Sequence, residues 1–474
     1  MTPDGLDAET LRLMLKPHED GSEINRKSKA GINSFLSVRN MNREEAENFV
    51  YQSYLRAEKH QDYNEKDAVK RRPDLTREII RKKAGTPAAV ITGSKGKGSA
   101  ANMISQILQT KYKVGLMTSP HLTRFNERFK INGADISDED FVKYMSLIRP
   151  EIEQIGRTIP ENVCISPMGI QADLALTYFR ANHTDFNVFE CGKGAKYDDV
   201  NNVVHEYAVI NSIFLEHTRE LGSTVEAIAE DKSHVITDGQ KCVYTAAQKP
   251  SVLKVIEDRA AEFGTPLKVY GRDFRADNIR YSNAGMCFDA VIENAVFRDI
   301  SIPLMGEHQA RNCALAMALS LDVLGGFRTE DVKQRLLALN WPGRMEVIHE
   351  KPFMMLDACI NAASCGNVKD VMRHLNIEKA AVIIGIPDDK DYAGVIREMN
   401  PAAERIILTK SQNPHYIFTD AQCKKMLEYG IATVFTDSVS EAIEQAKTTG
   451  KPIIILGTTS LVSEVKQLQL SDRL

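Results

Sequence analysis

Two kinds of hydrophobic pattern alternate along the first two thirds of the chain. Short apolar runs are typical of buried strands, and longer segments with apolar residues three or four positions apart are typical of helices packed on a core. Strands that alternate with helices predict an α/β unit with a mostly parallel sheet and right-handed crossovers. The predicted strands cover 88–92, 112–118, 186–190, 207–214 and 241–244, and the predicted helices cover 44–60, 75–83, 137–154, 167–181, 223–236 and 307–324.

The pattern changes after residue 270 and again after residue 340. Residues 273–305 alternate apolar and polar positions around Asn283-Ala284-Gly285, which predicts a β-hairpin or a small antiparallel sheet. Beyond residues 341–344 the strand and helix alternation restarts, which predicts a smaller Rossmann-like α/β domain without a G-x-G-x-x-G fingerprint. Its predicted strands are 353–356, 381–386, 405–409, 433–435 and 452–456. The predicted parts are an N-terminal extension at 1–45 with a short helix at 8–15, a central domain at 46–342 and a C-terminal domain at 343–474.

A glycine-rich stretch joins the apolar run at 88–92 to the helical pattern that follows it. Glycine lets successive backbone N–H groups turn toward an anion, and the first turn of the helix adds to a site suited to phosphate. Lys97 is placed to lie along bound phosphates, and Ser99 is placed to offer a hydroxyl to Mg²⁺. The alternative is a turn without a ligand, because Gly98 separates the lysine from the hydroxyl that usually follows it. The candidate loop consists of Gly93, Ser94, Lys95, Gly96, Lys97, Gly98 and Ser99.

Three further polar residues follow in the same part of the chain. Glu190 closes a predicted strand, and ligands bind at the carboxyl ends of parallel strands, so its carboxylate is placed to hold Mg²⁺. His217 follows the next strand and is a candidate metal ligand through a neutral imidazole. Lys232 lies fifteen residues further on, in a predicted helix. Taken singly, each has a plain alternative: a surface glutamate, a structural histidine and an exposed helix lysine.

Composition and charge limit the range of functions. The 474 residues include 60 Lys and Arg against 64 Asp and Glu, and the net charge of −4 gives no basic footprint for nucleic acid. Eight scattered cysteines without a C-x-x-C pair predict a reducing compartment, no zinc site and no disulfide framework. No apolar run reaches the roughly 18 residues of a membrane span, and the N-terminus has no apolar signal core. We therefore expect a cytoplasmic monomer without nucleic-acid or membrane partners.

Taken in order, these segments resemble the folylpolyglutamate synthase and dihydrofolate synthase family of the Mur ligase superfamily. The resemblance runs from about residue 45 to the C-terminus. Any one of its motifs is unspecific, whereas all of them in the family's order are specific. They are GSKGKGS (93–99), TSPHL (118–122), ERFKINGADIS (127–137), ECGKGAKYDDVN (190–201), EHTRELGSTVEAIAEDK (216–232), GEHQARN (306–312), WPGR (341–344), LDACIN (356–361), DDKD (388–391) and GTTSLVSEV (457–465).

The resemblance implies a Mur ligase central domain that contains a phosphate loop, and ATP-dependent amide ligation. A carboxylate is phosphorylated by ATP to an acyl phosphate, and the amine of an amino acid displaces phosphate. By analogy with the family, Ser99 and Glu190 hold one Mg²⁺ and His217 holds a second. Lys232 matches a lysine that is carbamylated in many members.

The same resemblance places ATP between the two domains. Asn312, Arg344 and Asp357 match positions that hold adenine, phosphate and ribose, and domain closure would assemble the site. Lys97 would offset the charge of the transferred phosphoryl group. The implied partners are a small carboxylic acid and an amino acid. The residues with implied catalytic roles are Lys97, His217, Lys232 and Asp357.

The chain departs from the family pattern mainly at positions that concern the amine. Ile360 stands where the family has a histidine, and residues 413–416 stand where it has an Arg-Ala pair. Lys95 replaces an asparagine, and Glu216 replaces an aspartate. An arginine grips a carboxylate with two hydrogen bonds and a neutral histidine does not, so we expect an amino-acid acceptor for which glutamate is a poor choice.

Three functions stay open on the sequence alone. The first is an ATP-dependent ligase that joins an amine to a folate-type acid or to another acid. The second is a non-catalytic ATP-binding regulator derived from such an enzyme, which the isoleucine at position 360 favours. The third is a small-molecule kinase, which would use the phosphate loop without an amine site.

Overall fold

The computed structural model describes residues 41–59, 70–282, 284–412, 417–419, 421–431 and 433–471. The predicted helix at 8–15, most of the extension at 1–45, Asn283 and residues 413–416 lie outside the described residues. Two α/β domains are present, as predicted, each built on its own sheet. The boundaries at 45 and 342 stay predictions.

The first domain begins with two helices and continues as alternating strands and helices. Its elements are α1 (Arg43–Glu58), α2 (Asp74–Arg81), β1 (Ala88–Thr92), α3 (Lys97–Leu108), β2 (Val114–Met117), β3 (Phe129–Ile131), β4 (Ala134–Asp135), α4 (Asp138–Thr158), α5 (Pro167–Ala181), β5 (Phe186–Glu190), β6 (Tyr207–Ile210), α6 (Thr218–Leu221), α7 (Val225–Ser233), β7 (Cys242–Thr245), α8 (Pro250–Glu262), β8 (Leu267–Val269), β9 (Phe274–Ser282), β10 (Gly285–Ile292), β11 (Ala295–Ile302), α9 (Glu307–Leu324) and α10 (Thr329–Leu337).

The main sheet of this domain has eight strands in the order β4-β3-β2-β5-β1-β6-β7-β8. The strands from β2 to β8 in this order run parallel, and β3 and β4 are antiparallel at the edge. Ile91 pairs with Glu190 of β5, and Thr92 pairs with Ile210 of β6. The carboxyl ends of three neighbouring strands therefore meet where the phosphate loop begins, which is the edge at which open parallel sheets bind ligands.

Apolar residues fill both faces of this sheet. Val90 belongs to one hydrophobic cluster with Met117 and Phe129, and Ile91 belongs to the opposite cluster with Ile104. Neighbouring strand residues point to opposite faces, so an uninterrupted apolar run such as 88–91 fits a strand covered by helices on both sides. All five residues of β1 are buried. This rigid strand holds the start of the loop in place.

The region at 273–305 forms the predicted antiparallel sheet, with the order β11-β10-β9. It packs against α9, and Phe288 and Ile300 contribute to the same hydrophobic cluster as that helix. The predicted strand at 207–214, by contrast, ends at Ile210. Residues 211–214 leave the sheet because they bond with the phosphate loop instead: Ser212 O accepts from Ser94 N at 2.9 Å, and Phe214 N donates to Ser94 Oγ at 3.2 Å.

The second domain is built on a smaller, six-stranded sheet. The elements are β12 (Glu346–Glu350), β13 (Phe353–Asp357), α11 (Ala362–His374), β14 (Ala380–Gly385), α12 (Tyr392–Met399), β15 (Ala403–Thr409), α13 (Ala421–Glu428), β16 (Thr433–Thr436), α14 (Val439–Lys447), β17 (Ile453–Gly457) and α15 (Thr459–Leu470). The strand order is β12-β13-β17-β14-β15-β16, and all neighbouring strands except the β12–β13 pair run parallel. Asp357 ends β13 and pairs with Leu456 of β17. Within the described parts of the chain, no helix combines the length and the apolar character needed to cross a membrane.

Candidate active site

The glycine-rich stretch forms a loop from β1 to α3, as the sequence predicts. Gly93 and Gly96 have φ angles of 140° and 80°, which other residues rarely adopt. A Cβ on Gly93 would lie 2.7 Å from Asn211 Cβ, so the loop passes too close to its neighbour for a side chain. Because α3 begins at Lys97, its unpaired first N–H groups and the positive end of its dipole lie at this loop.

Two lysines converge on the loop. Lys97 Nζ donates to Gly93 O at 3.1 Å, and Lys232 Nζ donates to the same oxygen at 3.0 Å. Lys232 is buried and lies 3.3 Å from the carboxylate of Glu216. Burial lowers the pKa of Lys232, the charge of Lys97 lowers it further, and Glu216 opposes both. The simple alternative of an exposed helix lysine is therefore wrong for Lys232.

Glu190 lies against the same loop from the end of β5. It is buried, and its Oε2 accepts from Ser119 N at 2.9 Å. A Cβ on Gly98 would lie 3.1 Å from that oxygen, so the carboxylate borders the first turn of α3, which also carries Ser99. Burial raises the pKa of Glu190, and the charges of Lys97 and Arg344 oppose the rise. The oxygen donors of Ser99 and Glu190 suit Mg²⁺, which prefers few protein ligands and completes its shell with water and phosphate.

His217 caps the short helix α6 and has a left-handed φ of 46°. Its side chain is exposed; partial desolvation of the ring lowers the pKa of His217, and Glu216 opposes this shift. Among the residues that the structure describes, no group of three or more His, Cys, Asp or Glu is arranged to hold a metal. The neutral imidazole fits a metal ligand, but the ammonium of Lys232, bound to the neighbouring Glu216, would repel a cation there.

The second domain and α9 close the other side of the loop. Asn312 Oδ1 accepts from Asn211 Nδ2 at 3.1 Å, and its amide lies 3.0 Å from a Cβ built on Gly96. Asp357 Oδ1 accepts from Met345 N at 2.9 Å, which ties the end of β13 to residues 341–345. Burial raises the pKa of Asp357, and Arg344 opposes the rise. All three nucleotide-binding candidates from this side, Asn312, Arg344 and Asp357, therefore lie around the phosphate loop.

Two departures from the family pattern meet at one junction of the domains. Lys95 Nζ donates to Ser364 Oγ, in the first turn of α11. Ser364 Oγ lies 2.8 Å from Oδ1 of Asn361, the residue directly after Ile360. Lys95, which stands in place of an asparagine, is thus bonded to the segment that contains Ile360, which stands in place of a histidine.

Sequence reasoning missed the contacts of two residues around the loop. Asn211 lies beside Gly93 and Gly96, and Trp341 Cζ2 would lie 2.7 Å from a Cβ on Gly98. The signal for Asn211 was a pair of polar residues directly after a buried strand. Trp341 was predicted only as part of a hinge, and nothing in the local sequence indicates its distant contact with Gly98.

A buried polar cluster lies on the Ser119 side of Glu190. Arg128 Nε donates to His121 Nδ1 at 2.8 Å, and Arg128 Nη1 donates to Gln171 Oε1 at 2.8 Å. Burial lowers the pKa of His121 to about 4, and Arg128 adds to the effect, so the ring is neutral at pH 7. Because Nδ1 accepts from Arg128, the ring proton resides on Nε2, which is left as a donor.

Comparison with known proteins finds a matching domain family and similar relatives. A family model of the Mur ligase middle domain matches residues 91–320. The chain is 27% identical to a folylpolyglutamate synthase of Lacticaseibacillus casei over 81% of this chain and 90% of the relative. It is 29% identical to a dihydrofolate synthase/folylpolyglutamate synthase of Bacillus subtilis over 80% of this chain and 89% of the relative.

A solved structure shows the same fold. Mycobacterium tuberculosis folylpolyglutamate synthase complexed with ADP superposes with a TM-score of 0.80 at 22% identity, covering 90% of this chain and 99% of the other. The order of the motifs, the matched middle domain and relatives aligned over most of their length all agree. Residues 91–320 therefore match the Mur ligase middle domain, and the chain is similar over about 80% of its length to folylpolyglutamate and dihydrofolate synthases.

Proposed function

We propose that this protein is an ATP-dependent, ADP-forming ligase that joins the carboxylate of a folate-type acid to the amine of an amino acid. The observation that supports this most is the convergence of Lys97, Lys232 and Glu190 of the first domain at the phosphate loop. Asp357 of the second domain lies near enough for the charge of Lys95, in this loop, to act on its pKa. The names of the relatives support the choice of a folate-type acid and an amino acid. The relatives favour a ligase over a regulator.

The first step is phosphoryl transfer. A carboxylate oxygen of the acid attacks the γ-phosphorus, the bond to the β,γ-bridging oxygen breaks, and ADP leaves. Lys97 and the N–H groups at the start of α3 offset charge on the transferred group. Ser99 and Glu190 would hold Mg²⁺, which supplies further charge stabilisation when bound.

The second step forms the amide. The amine nitrogen attacks the acyl carbon, the carbon–oxygen bond to phosphate breaks, and the amine loses a proton. Arg344 and Asp357 border the loop from the second domain, so closure of the cleft would bring the acceptor side against the acyl phosphate. The His121 Nε2–H would serve as a donor for a polar group of the acid.

We propose that Lys232 is carbamylated and that His217 and this carbamate hold a second Mg²⁺. The ammonium of Lys232 first loses one proton, and the neutral amine then adds to the carbon of CO₂ and releases a second proton. A cation thereby becomes an anion. Burial already favours the neutral amine. A carbamate would remove the repulsion that the ammonium imposes at His217.

Labelled CO₂ tests the carbamate. Protein equilibrated with ¹³CO₂ should show one carbamate resonance in a ¹³C spectrum, and Lys232→Arg should lose it. The matched control is Lys193→Arg, another lysine near this site, which should keep the resonance. A spectrum without a carbamate signal in the wild type would remove the proposal for Lys232.

Phosphate release tests the ligase itself. ATP, Mg²⁺, dihydropteroate or tetrahydrofolate, and a panel of amino acids are combined, with each component omitted in turn. The ligase predicts phosphate release that requires both an acid and an amine. ADP formation with an acid alone, with no amide product, would indicate a kinase. Tight ATP binding without turnover under any combination would indicate a regulator.

A further inference from the structure

One hydrogen bond joins the tip of the phosphate loop to the second domain. Lys95 Nζ donates to Ser364 Oγ, across 269 residues of sequence. Ser364 is buried in the first turn of α11, whereas Lys95 is exposed. The other loop lysine, Lys97, donates back into its own loop at Gly93 O. The two lysines therefore have different partners although they are two positions apart.

The acceptor of Lys95 is itself held in place. Asn361 caps α11: its Oδ1 accepts from Ser364 N at 3.0 Å and from Ser364 Oγ at 2.8 Å. An ammonium has donors only, so Ser364 Oγ must accept from Lys95 and direct its own proton to Asn361. The result is a directional chain from Lys95 through Ser364 to Asn361, which fixes the start of α11 relative to the loop.

The charge of Lys95 is not neutralised locally. Among the residues that the structure describes, no carboxylate lies within ion-pair distance of its ammonium. Its charge nevertheless acts on both sides of the cleft. Burial lowers the pKa of His308 to about 4, and the charge of Lys95 lowers it further. Burial raises the pKa of Asp357, and the charges of Arg344 and Lys95 oppose that rise. The ammonium therefore lies at the junction of the loop, α9 and the end of β13.

We propose that Lys95 is a positioning residue that latches the second domain onto the phosphate loop through Ser364. The inference rests on the proposed ligase function, because the latched segment, residues 357–364, borders the cleft in which the amine would attack. The Lys95–Ser364 latch would keep this segment in register with the loop. Nucleotide binding itself would depend on the loop N–H groups and Lys97, which the latch does not contact.

Hydrogen exchange of the protein without nucleotide or substrates tests the latch directly. We expect Lys95→Met and Ser364→Ala each to raise the exchange rate of the amides at 362–366 by roughly five-fold, the effect of losing one ordinary hydrogen bond. Lys97→Met, the matched loop variant, should not change these amides, and Lys95→Arg should keep their protection. Unchanged exchange in Lys95→Met, or an equal effect of Lys97→Met, would overturn the latch.

Kinetics then separate positioning from simple phosphate binding. Lys95→Met and Ser364→Ala should each lower kcat about ten-fold, and the double variant should be no worse than either, because both remove the same interaction. The nucleotide affinity of Ser364→Ala, followed by the fluorescence of Trp341, the single tryptophan, should change less than three-fold. Additive losses of kcat in the double variant would overturn the proposal. A large loss of nucleotide affinity in Lys95→Met, with no effect of Ser364→Ala on kcat, would overturn it as well. Failure of the ligase function would show separately, as a wild type without turnover, because the exchange measurement needs no activity.

Discussion

Lys97 and Lys232 share one acceptor, the carbonyl oxygen of Gly93, although they come from different helices. Two ammonium groups at one oxygen repel each other, and the lowered pKa of Lys232, caused first by burial and then by Lys97, reflects this. An anion beside the loop would relieve the repulsion. The geometry of these residues thus favours a bound phosphate.

At this scale, Lys97 should be required for turnover but not for folding. Lys97→Met should lower kcat about 10²–10³-fold, because it removes charge at the transferred group while its hydrogen bond within the loop contributes little to stability. Steady-state phosphate release and thermal unfolding measure the two effects. A variant with near-normal turnover would show that the loop does not carry the chemistry.

Glu190 and His217 should act through metal. Glu190→Gln and His217→Ala should each raise the Mg²⁺ concentration for half-maximal activity, roughly ten-fold or more for the loss of one ligand. The control is Glu206→Gln, which lies at the opposite end of the same sheet in an ion pair with Lys241 and should have no effect. If neither variant changes the Mg²⁺ dependence, the two-metal proposal fails.

At the scale of elements, the loop and most strands could be predicted because their signals are local. The four apolar residues at 88–91 fix β1, and Gly93 and Gly96 follow it where the backbone takes positive φ. The helix α8 was missed although Val252, Ile256 and Ala260 give it a buried stripe at four-residue spacing. β3 and β4 were missed because two or three residues carry no period.

Long-range pairs set the rest of the site and could not be predicted. The apolar pattern of β6 continues to residue 214, so the sequence predicts one strand over 207–214. Ser212 and Phe214 instead bond to Ser94, 118 and 120 positions away. The Lys95–Ser364 contact similarly depends on how the two domains meet. No local spacing encodes such contacts.

Asp199 permits a prediction about the packing of α2 and α5. It is buried, its Oδ1 accepts from Thr76 Oγ1 at 2.6 Å, and its Oδ2 has no hydrogen-bond partner among the described residues. Burial raises its pKa to about 6. The folded state therefore binds this proton more tightly than the unfolded chain, so stability falls as the pH rises from about 4 to about 6.

Asp199→Asn should therefore raise the free energy of unfolding at pH 7 by about 1–3 kcal/mol and flatten its decline between pH 4 and 6. Urea unfolding at several pH values measures both. Asp198→Asn is the contrasting control, because the Asp198 carboxylate accepts from the N–H groups of Gly192, Lys193 and Val200, and its loss should destabilise. Destabilisation of Asp199→Asn at pH 7 would contradict the burial argument.

At the scale of the whole molecule, the site is assembled from the carboxyl ends of two separate sheets. Glu190 ends β5 in the first domain, and Asp357 ends β13 in the second. The connection at 341–345 links them, because Met345 N donates to Asp357 and Trp341 packs at Gly98. Movement of one domain relative to the other would therefore change the geometry around the nucleotide and the acceptor together.

The residues around Ile360 predict a low kcat/KM for glutamate as the amine substrate. Ile360 offers no polar group beside Asn361, so kcat/KM for glutamate should fall below the ordinary range of roughly 10⁴ M⁻¹s⁻¹ with dihydropteroate or tetrahydrofolate. Ile360→His should raise it, and a panel of other amino acids should include a better substrate than glutamate. A wild-type value for glutamate at or above that range would show that the acceptor site is conventional.

Isotope transfer tests most directly whether a carboxylate oxygen attacks ATP. The acid that supports turnover is labelled with ¹⁸O in its carboxylate, and the released phosphate is analysed by mass. An acyl phosphate leaves one of its carboxylate oxygens on the phosphate when the amine displaces it, so each amide formed should yield one phosphate that carries one ¹⁸O. Amide formation with unlabelled phosphate would contradict the mechanism.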